Sequence, residues 1–225
     1  VSRGLGDVYK RQNIYIPKAL PLTELPDERT QFTLGMYGDG DFFTMKGVVE
    51  EFFEKAGLDG RITYDPEDKK SFLHPGRQAD IIYDGVKVGY LGEVHPQVCE
   101  NYNIGDRVYY ADIDMPYIVE HACFDKKYEG IAKFPTSTRD ISLVVDKQVL
   151  IGTMENAIIK KGGKLLESCE LFDIYEGEQV GEGKKSVAFS LVFRAKDRTL
   201  SDTEISEIMD KILAELTGLG AVLRQ

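Results

Sequence analysis

Ser186-Val187-Ala188-Phe189-Ser190-Leu191-Val192-Phe193-Arg194 is the stretch that decides the fold of the second half of the chain. Val187, Phe189, Leu191 and Phe193 take one side while Ser186, Ala188, Ser190 and Arg194 take the other, the period of a half-buried strand. Upstream, Ile141, Leu143 and Val145 alternate in the same way through Arg139 to Asp146. Between these strands Ile151, Met154 and Ile158 follow helical spacing, and Gly162-Gly163 supplies the residues that end a helix. Further on, Ser201 and Glu204 form a capping box ahead of an apolar stripe of Ile205, Ile208, Met209, Ile212 and Leu216, with Gly218 and Gly220 as stop signals. From Pro135 to Arg224 the order is therefore strand, helix, strand, strand, helix, strand, a split βαβ sandwich. Both helices cover one sheet face and the other face is open to a ligand.

The first half reads as strands around one amphipathic helix. Phe32 to Tyr37 is a strand, and Phe42 to Ala56 is a helix with Phe42, Met45, Val49, Phe52 and Ala56 as its stripe, stopped by Gly57. Ala79 to Tyr83, Val86 to Leu91 and Val108 to Ile113 read as strands, the first two joined by an Asp84-Gly85 hairpin turn. Pro116 to Pro135 joins the halves, with the boundary near Gly130.

At 225 residues and 42% hydrophobic, the chain has material for two modest cores. No run approaches the roughly 18 apolar residues of a membrane span. Cys99, Cys123 and Cys169 are odd in number and far apart, which argues for reduced thiols in a cytoplasmic setting. The net charge of −10 is uneven. Residues 1–130 carry 15 Lys and Arg against 23 Asp and Glu, whereas residues 131–225 carry 13 against 15, so the second half is nearly neutral. Asp202, Glu204, Glu207, Asp210 and Glu215 ride on the second helix, while Arg139, Lys184, Lys185, Arg194, Lys196 and Arg198 belong to strands and turns.

Several spaced motifs carry a resemblance. Pro135-x-x-x-Arg139-Asp140, Leu171-Phe172-Asp173-Ile174-Tyr175-x-Gly177, Gly183-Lys184-Lys185-Ser186-x-Ala188-Phe189, Arg198-Thr199-Leu200-x-Asp202-x-Glu204 and Gly220-Ala221-x-Leu223-Arg224 together resemble the C-terminal anticodon-binding domain of bacterial phenylalanyl-tRNA synthetase beta subunits. Asp41-Phe42-Phe43-x-x-Lys46-Gly47, His74-Pro75-Gly76-Arg77-x-Ala79 and Gly92-Glu93-Val94-His95-Pro96 resemble the preceding catalytic-like domain.

The resemblance implies an α+β chain: a partial class II synthetase-like antiparallel sheet domain over 13–130, noncatalytic, then a ferredoxin-like βαββαβ sandwich over 131–225. It implies a ligase of two alpha and two beta subunits, with ATP, magnesium ion and phenylalanine handled by alpha and the tRNA(Phe) anticodon region held by beta. Residues 1–12 do not fit that register and are expected to be a non-native leader.

The aromatic platform for an unstacked base is expected at Tyr175, with Ser186 as a hydrogen-bonding partner beside it. Arg139, Lys184, Lys185, Arg194 and Arg198 are candidate phosphate or base contacts. Phe172 is read as core. His74, Arg77, Glu93 and His95 offer acid–base or zinc chemistry on paper, but each histidine precedes or abuts a proline turn, so local hydrogen bonding is expected and no metal site. The competing reading is a ferredoxin-like regulatory module binding a small amino acid, although Asp146-Lys147-Gln148-Val149 lacks the glycines of a ligand turn.

Overall fold

The computed structural model describes residues 6–58, 62–125, 130 and 132–224. It divides into two compact units, Val1–Lys127 and Tyr128–Gln225.

The first unit contains β1 (Gly6–Ile16), β2 (Asp27–Tyr37), α1 (Phe42–Lys55), β3 (Ile62–Asp65), β4 (Leu73–Tyr83), β5 (Val86–Val94), α2 (Pro96–Asn101), β6 (Val108–Asp114) and α3 (Met115–His121). The strands form one antiparallel sheet in the order β1-β2-β6-β5-β4-β3. α1 begins where the Asp41 carboxylate accepts the Thr44 N–H at 2.7 Å, closing a capping box. Its buried residues are Met45, Val49 and Phe53, so the stripe turns one residue beyond the expected Phe52, which is only partly buried. These side chains pack with Met36, Ile81, Leu91, Ala111 and Ile113 of the sheet. The helix stops at Gly57, where φ is +73° and a Cβ would lie 1.7 Å from the Cys123 carbonyl oxygen, so both conformation and space demand glycine. Asp84 and Gly85, at φ 49° and 81°, form the hairpin turn expected from their sequence.

Residues 6–12, expected to be a leader, pair with residues 31–37 in β1. Such pairing uses backbone groups that any proline-free segment supplies, and Val8 and Tyr9 remain 69% and 74% exposed. The short helix α2 lies where the sequence suggested only a turn at His95-Pro96, and α3 runs into the segment read as the join between the halves. In α2, His95 caps the helix by accepting the Gln97 N–H at Nδ1, 3.2 Å away.

The second unit runs β7 (Ser137–Asp146), α4 (Ile151–Gly162), β8 (Leu166–Tyr175), β9 (Lys184–Phe193), α5 (Asp202–Gly218) and β10 (Val222–Leu223). Its antiparallel sheet has the order β10-β7-β9-β8. Ile141, Leu143 and Val145 of β7 and Val187, Phe189, Leu191 and Phe193 of β9 join Met154 and Ile158 of α4 and Ile205, Ile212 and Leu216 of α5 in one core. Burying each such side chain contributes roughly 1.5–3 kcal/mol. The Ser201 hydroxyl accepts the Glu204 N–H while the Glu204 carboxylate accepts the Ser201 N–H at 3.0 Å, the capping box read from sequence.

One core assignment is corrected. Phe172 is 58% exposed, because β8 is an edge strand and a register shift between Leu171 and Asp173 breaks its alternation.

Candidate nucleic-acid interface

On the sheet face opposite α4 and α5, the hydrogen-bond register sets Tyr175 of β8 directly against Ser186 of β9. Tyr175 is 37% exposed. A Cβ on Gly177 would come within 2.3 Å of the Tyr175 hydroxyl oxygen, so any side chain at 177 displaces that end of the ring.

The third member of this cluster is Arg224. Gly220, at φ 83°, turns the chain out of α5, and Val222 and Leu223 pair with Val144 and Leu143. The Arg224 N–H then donates to the Ser142 carbonyl at 2.8 Å. Alternation past Leu223 delivers the guanidinium to the face that carries Tyr175. Its carbon lies 5.8 Å from the centre of the Tyr175 ring, one nitrogen donates to Ser186 Oγ at 3.4 Å, and another donates to Gln179 Oε1 at 3.2 Å. Ser142 Oγ is 3.4 Å from Ser186 Oγ. Ser186 is itself only 4% exposed. As arranged, its hydroxyl positions Arg224 beside the aromatic ring. The cation is held by neutral groups only, and among the described residues it is in no ion pair.

The remaining candidates have other surroundings. Arg139 shares the helix-covered side with Ile141 and donates to Asp202 Oδ1 in the first turn of α5, 2.8 Å away. Arg194 pairs with Glu167 at 2.9 Å and Arg198 with Glu204. Arg194 also lies eight residues along the chain from Ser186, roughly 26 Å at strand rise. Lys185 is 8% exposed and donates to the Lys147 carbonyl at 3.2 Å; burial pushes its pKa down. Lys147 pairs with Glu176 at 2.7 Å and holds that carboxyl below its usual range. Lys184 is exposed, and its ammonium has no partner among the described residues.

Sequence reading thus located Tyr175 and Ser186 but passed over Arg224 and Gln179. Arg224 was legible, since it closes the last matched motif and alternates with the inward Leu223. Gln179 carried no signal inside an acidic, glycine-rich turn.

In the first unit, the charges named earlier are paired with each other. Arg77 forms a two-pronged contact with Glu93, including Nη2 to Oε1 at 3.0 Å, and Glu93 is 2% exposed. Burial alone would raise the Glu93 pKa, but the hydrogen bonds and charge of Arg77 outweigh it and hold the carboxyl below its usual range. His74 Nδ1 accepts the Gly76 N–H at 3.1 Å. On the face away from α1, Asp80 takes Lys70 at 2.6 Å and also Lys87. Lys87 and Lys70 bring the Asp68 carboxyl down to about 2. Asp112 accepts from the hydroxyls of Thr33 at 3.1 Å and Tyr90 at 3.2 Å, and desolvation keeps its pKa raised. Among the described residues no three His, Cys, Asp or Glu side chains gather to hold a metal ion, and no helix is long and apolar enough to cross a membrane.

A four-stranded antiparallel sheet with two helices on one side and an open face on the other defines a split βαβ sandwich of the ferredoxin type. The family described as "Ferredoxin-fold anticodon binding domain" matches residues 132–224. The family described as "Phenylalanyl tRNA synthetase beta chain CLM domain" matches residues 5–115. The Clostridium acetobutylicum protein named phenylalanine–tRNA ligase beta subunit is 43% identical over 98% of this chain and 28% of its own length. Its namesake in Clostridium tetani is 39% identical over 96% of this chain and 27% of its own length. A pyrrolysyl tRNA synthetase from Desulfitobacterium hafniense, at TM-score 0.41 and 10% identity over 53% of this chain and 42% of that one, is too distant to bear on the fold. The chain belongs to the family of phenylalanine–tRNA ligase beta subunits and spans about a quarter of the length of those two relatives. The anticodon-binding match sets aside the amino-acid-binding module.

Proposed function

We propose that this chain serves, within a phenylalanine–tRNA ligase, to hold the anticodon region of tRNA(Phe) through residues 131–225 and to dock on the catalytic alpha subunit through residues 13–130. The whole enzyme is a cytoplasmic heterotetramer of two alpha and two beta subunits, and alpha carries out the chemistry with ATP and magnesium ion. This chain by itself is noncatalytic. Its first unit supports that reading, because Arg77 and Glu93 are spent on each other and His74 and His95 on the backbone N–H groups of Gly76 and Gln97.

The observation that carries the proposal is the Arg224 guanidinium held over Tyr175 by Ser186 and Gln179, with no carboxylate paired to it among the described residues. An unpaired nucleobase stacks on the ring, and the guanidinium offers a base edge or phosphate its donors. Lys184 contacts phosphate directly. Arg194 and Arg198 reach the RNA by exchanging their present carboxylate partners for phosphate oxygens.

Tyr175→Ala in the assembled alpha–beta ligase tests this. Loss of a stacked base costs about 1–3 kcal/mol, so charging of tRNA at subsaturating concentration should drop roughly 5- to 150-fold. The drop should be absent from ATP-dependent phenylalanine activation measured without tRNA. Equal loss in both assays defeats the proposal.

A further inference from the structure

We infer that Gln179 reads the base stacked on Tyr175 and favours one bearing a keto oxygen over one bearing an exocyclic amine; this rests on the platform reading above. Gln179 lies in a short 3₁₀ turn, Glu178–Val180, inside the β8–β9 hairpin. The turn is fixed from both sides: the Val180 N–H donates to the Gly177 carbonyl at 3.1 Å, and the Val180 side chain is 8% exposed.

A guanidinium has donors and no acceptor, so the amide of Gln179 must turn its oxygen to Arg224, as the 3.2 Å contact has it. The NH2 end is then committed to the opposite direction, where it has no partner among the described residues. Arg224 therefore sets the orientation of an exposed amide beside the ring. A base lying on Tyr175 meets the guanidinium and the amide NH2, both of them donors, while the Ser186 hydroxyl is already engaged with Arg224 and Ser142. Guanine, with O6 and N7, and uracil, with O4, present acceptors to such a wall. Adenine N6 and cytosine N4 present donors and leave groups unpaired on both sides.

The test uses the alpha–beta ligase and tRNA transcripts carrying each of the four bases in turn at each anticodon position, with kcat/KM for charging as the readout. Gln179→Glu keeps an oxygen for Arg224 and replaces the outward NH2 with an acceptor. At one anticodon position the wild-type preference for keto bases should shrink by about tenfold, a size expected of one base-edge contact, with the other positions unchanged. Gln179→Ala, which adds no charge, should weaken the same preference at the same position. A uniform loss across all transcripts, or an unaltered preference in both variants, overturns the inference. Tyr175→Ala run in parallel separates the two failures. If it impairs charging while both Gln179 variants read like wild type, only Gln179 is dismissed; if it charges normally, the platform falls and Gln179 with it.

Discussion

Both units present a sheet with one face on a helix-bearing core and one polar face, and the two polar faces handle charge in opposite ways. On the polar face of the first unit Asp80 sits against Lys70 and Lys87, and at the rim of its other face Arg77 closes on the buried Glu93, which the register sets beside Tyr109. In the second, the Arg224 guanidinium lies 5.8 Å from the centre of an aromatic ring and is hydrogen-bonded to a serine and a glutamine. A face whose charges neutralise each other has little to gain from a charged ligand, because the ligand must first break pairs already made. A cation held by neutral groups keeps its attraction for an anion while its geometry is fixed in advance. The contrast teaches that the location of polar residues matters less for function than whether their charges are already balanced.

That contrast can be broken most sharply at Glu93. Arg77→Ala strands a carboxylate that is 2% exposed, and removing one member of such a pair costs on the order of 3 kcal/mol. Urea unfolding followed by circular dichroism should register the loss; a midpoint unchanged from wild type would mean that the first unit is not built on internal pairing. A smaller effect belongs to Asp112. Its folded pKa lies above the ordinary carboxyl value, so the stability it contributes is complete below that ordinary value and is lost as pH rises through the folded one. Asp112→Asn should therefore gain on wild type as pH climbs from 4 to 8, and a difference constant with pH would contradict this. The smallest change in folding is expected at Lys184, exposed and without a side-chain partner among the described residues. Lys184→Ala should leave stability within about 0.5 kcal/mol and lower the salt slope of tRNA binding to the assembled ligase by about 1. An unaltered slope removes Lys184 from the interface.

The sandwich was legible because β7 and β9 are buried on one side only, so Ile141, Leu143 and Val145 and the four apolar residues of β9 alternate without interruption. Alternation failed at Phe172, where the register shift in β8 resets the period. The six-stranded sheet was harder to read. β3 is four residues long, α2 and α3 open on prolines that signal turns equally well, and the segment of β1 over residues 6–12 has the composition of a leader. For the candidate site, a resemblance in motif picked out Tyr175 and Ser186, and the register set them opposite each other. Sequence gave the sign of Arg139, Arg194 and Arg198 but not their partners, since Asp202, Glu167 and Glu204 approach through tertiary packing or capping geometry. Gln179 became visible only through the direction of its contact with Arg224.

β10 contains two residues, and Arg224 follows it immediately. So brief a strand frays at small cost, and an association constant for RNA is scaled by the fraction of molecules in which the guanidinium is docked. Fastening this tail is consequently a term in affinity, even if no nucleotide ever touches Val222 or Leu223.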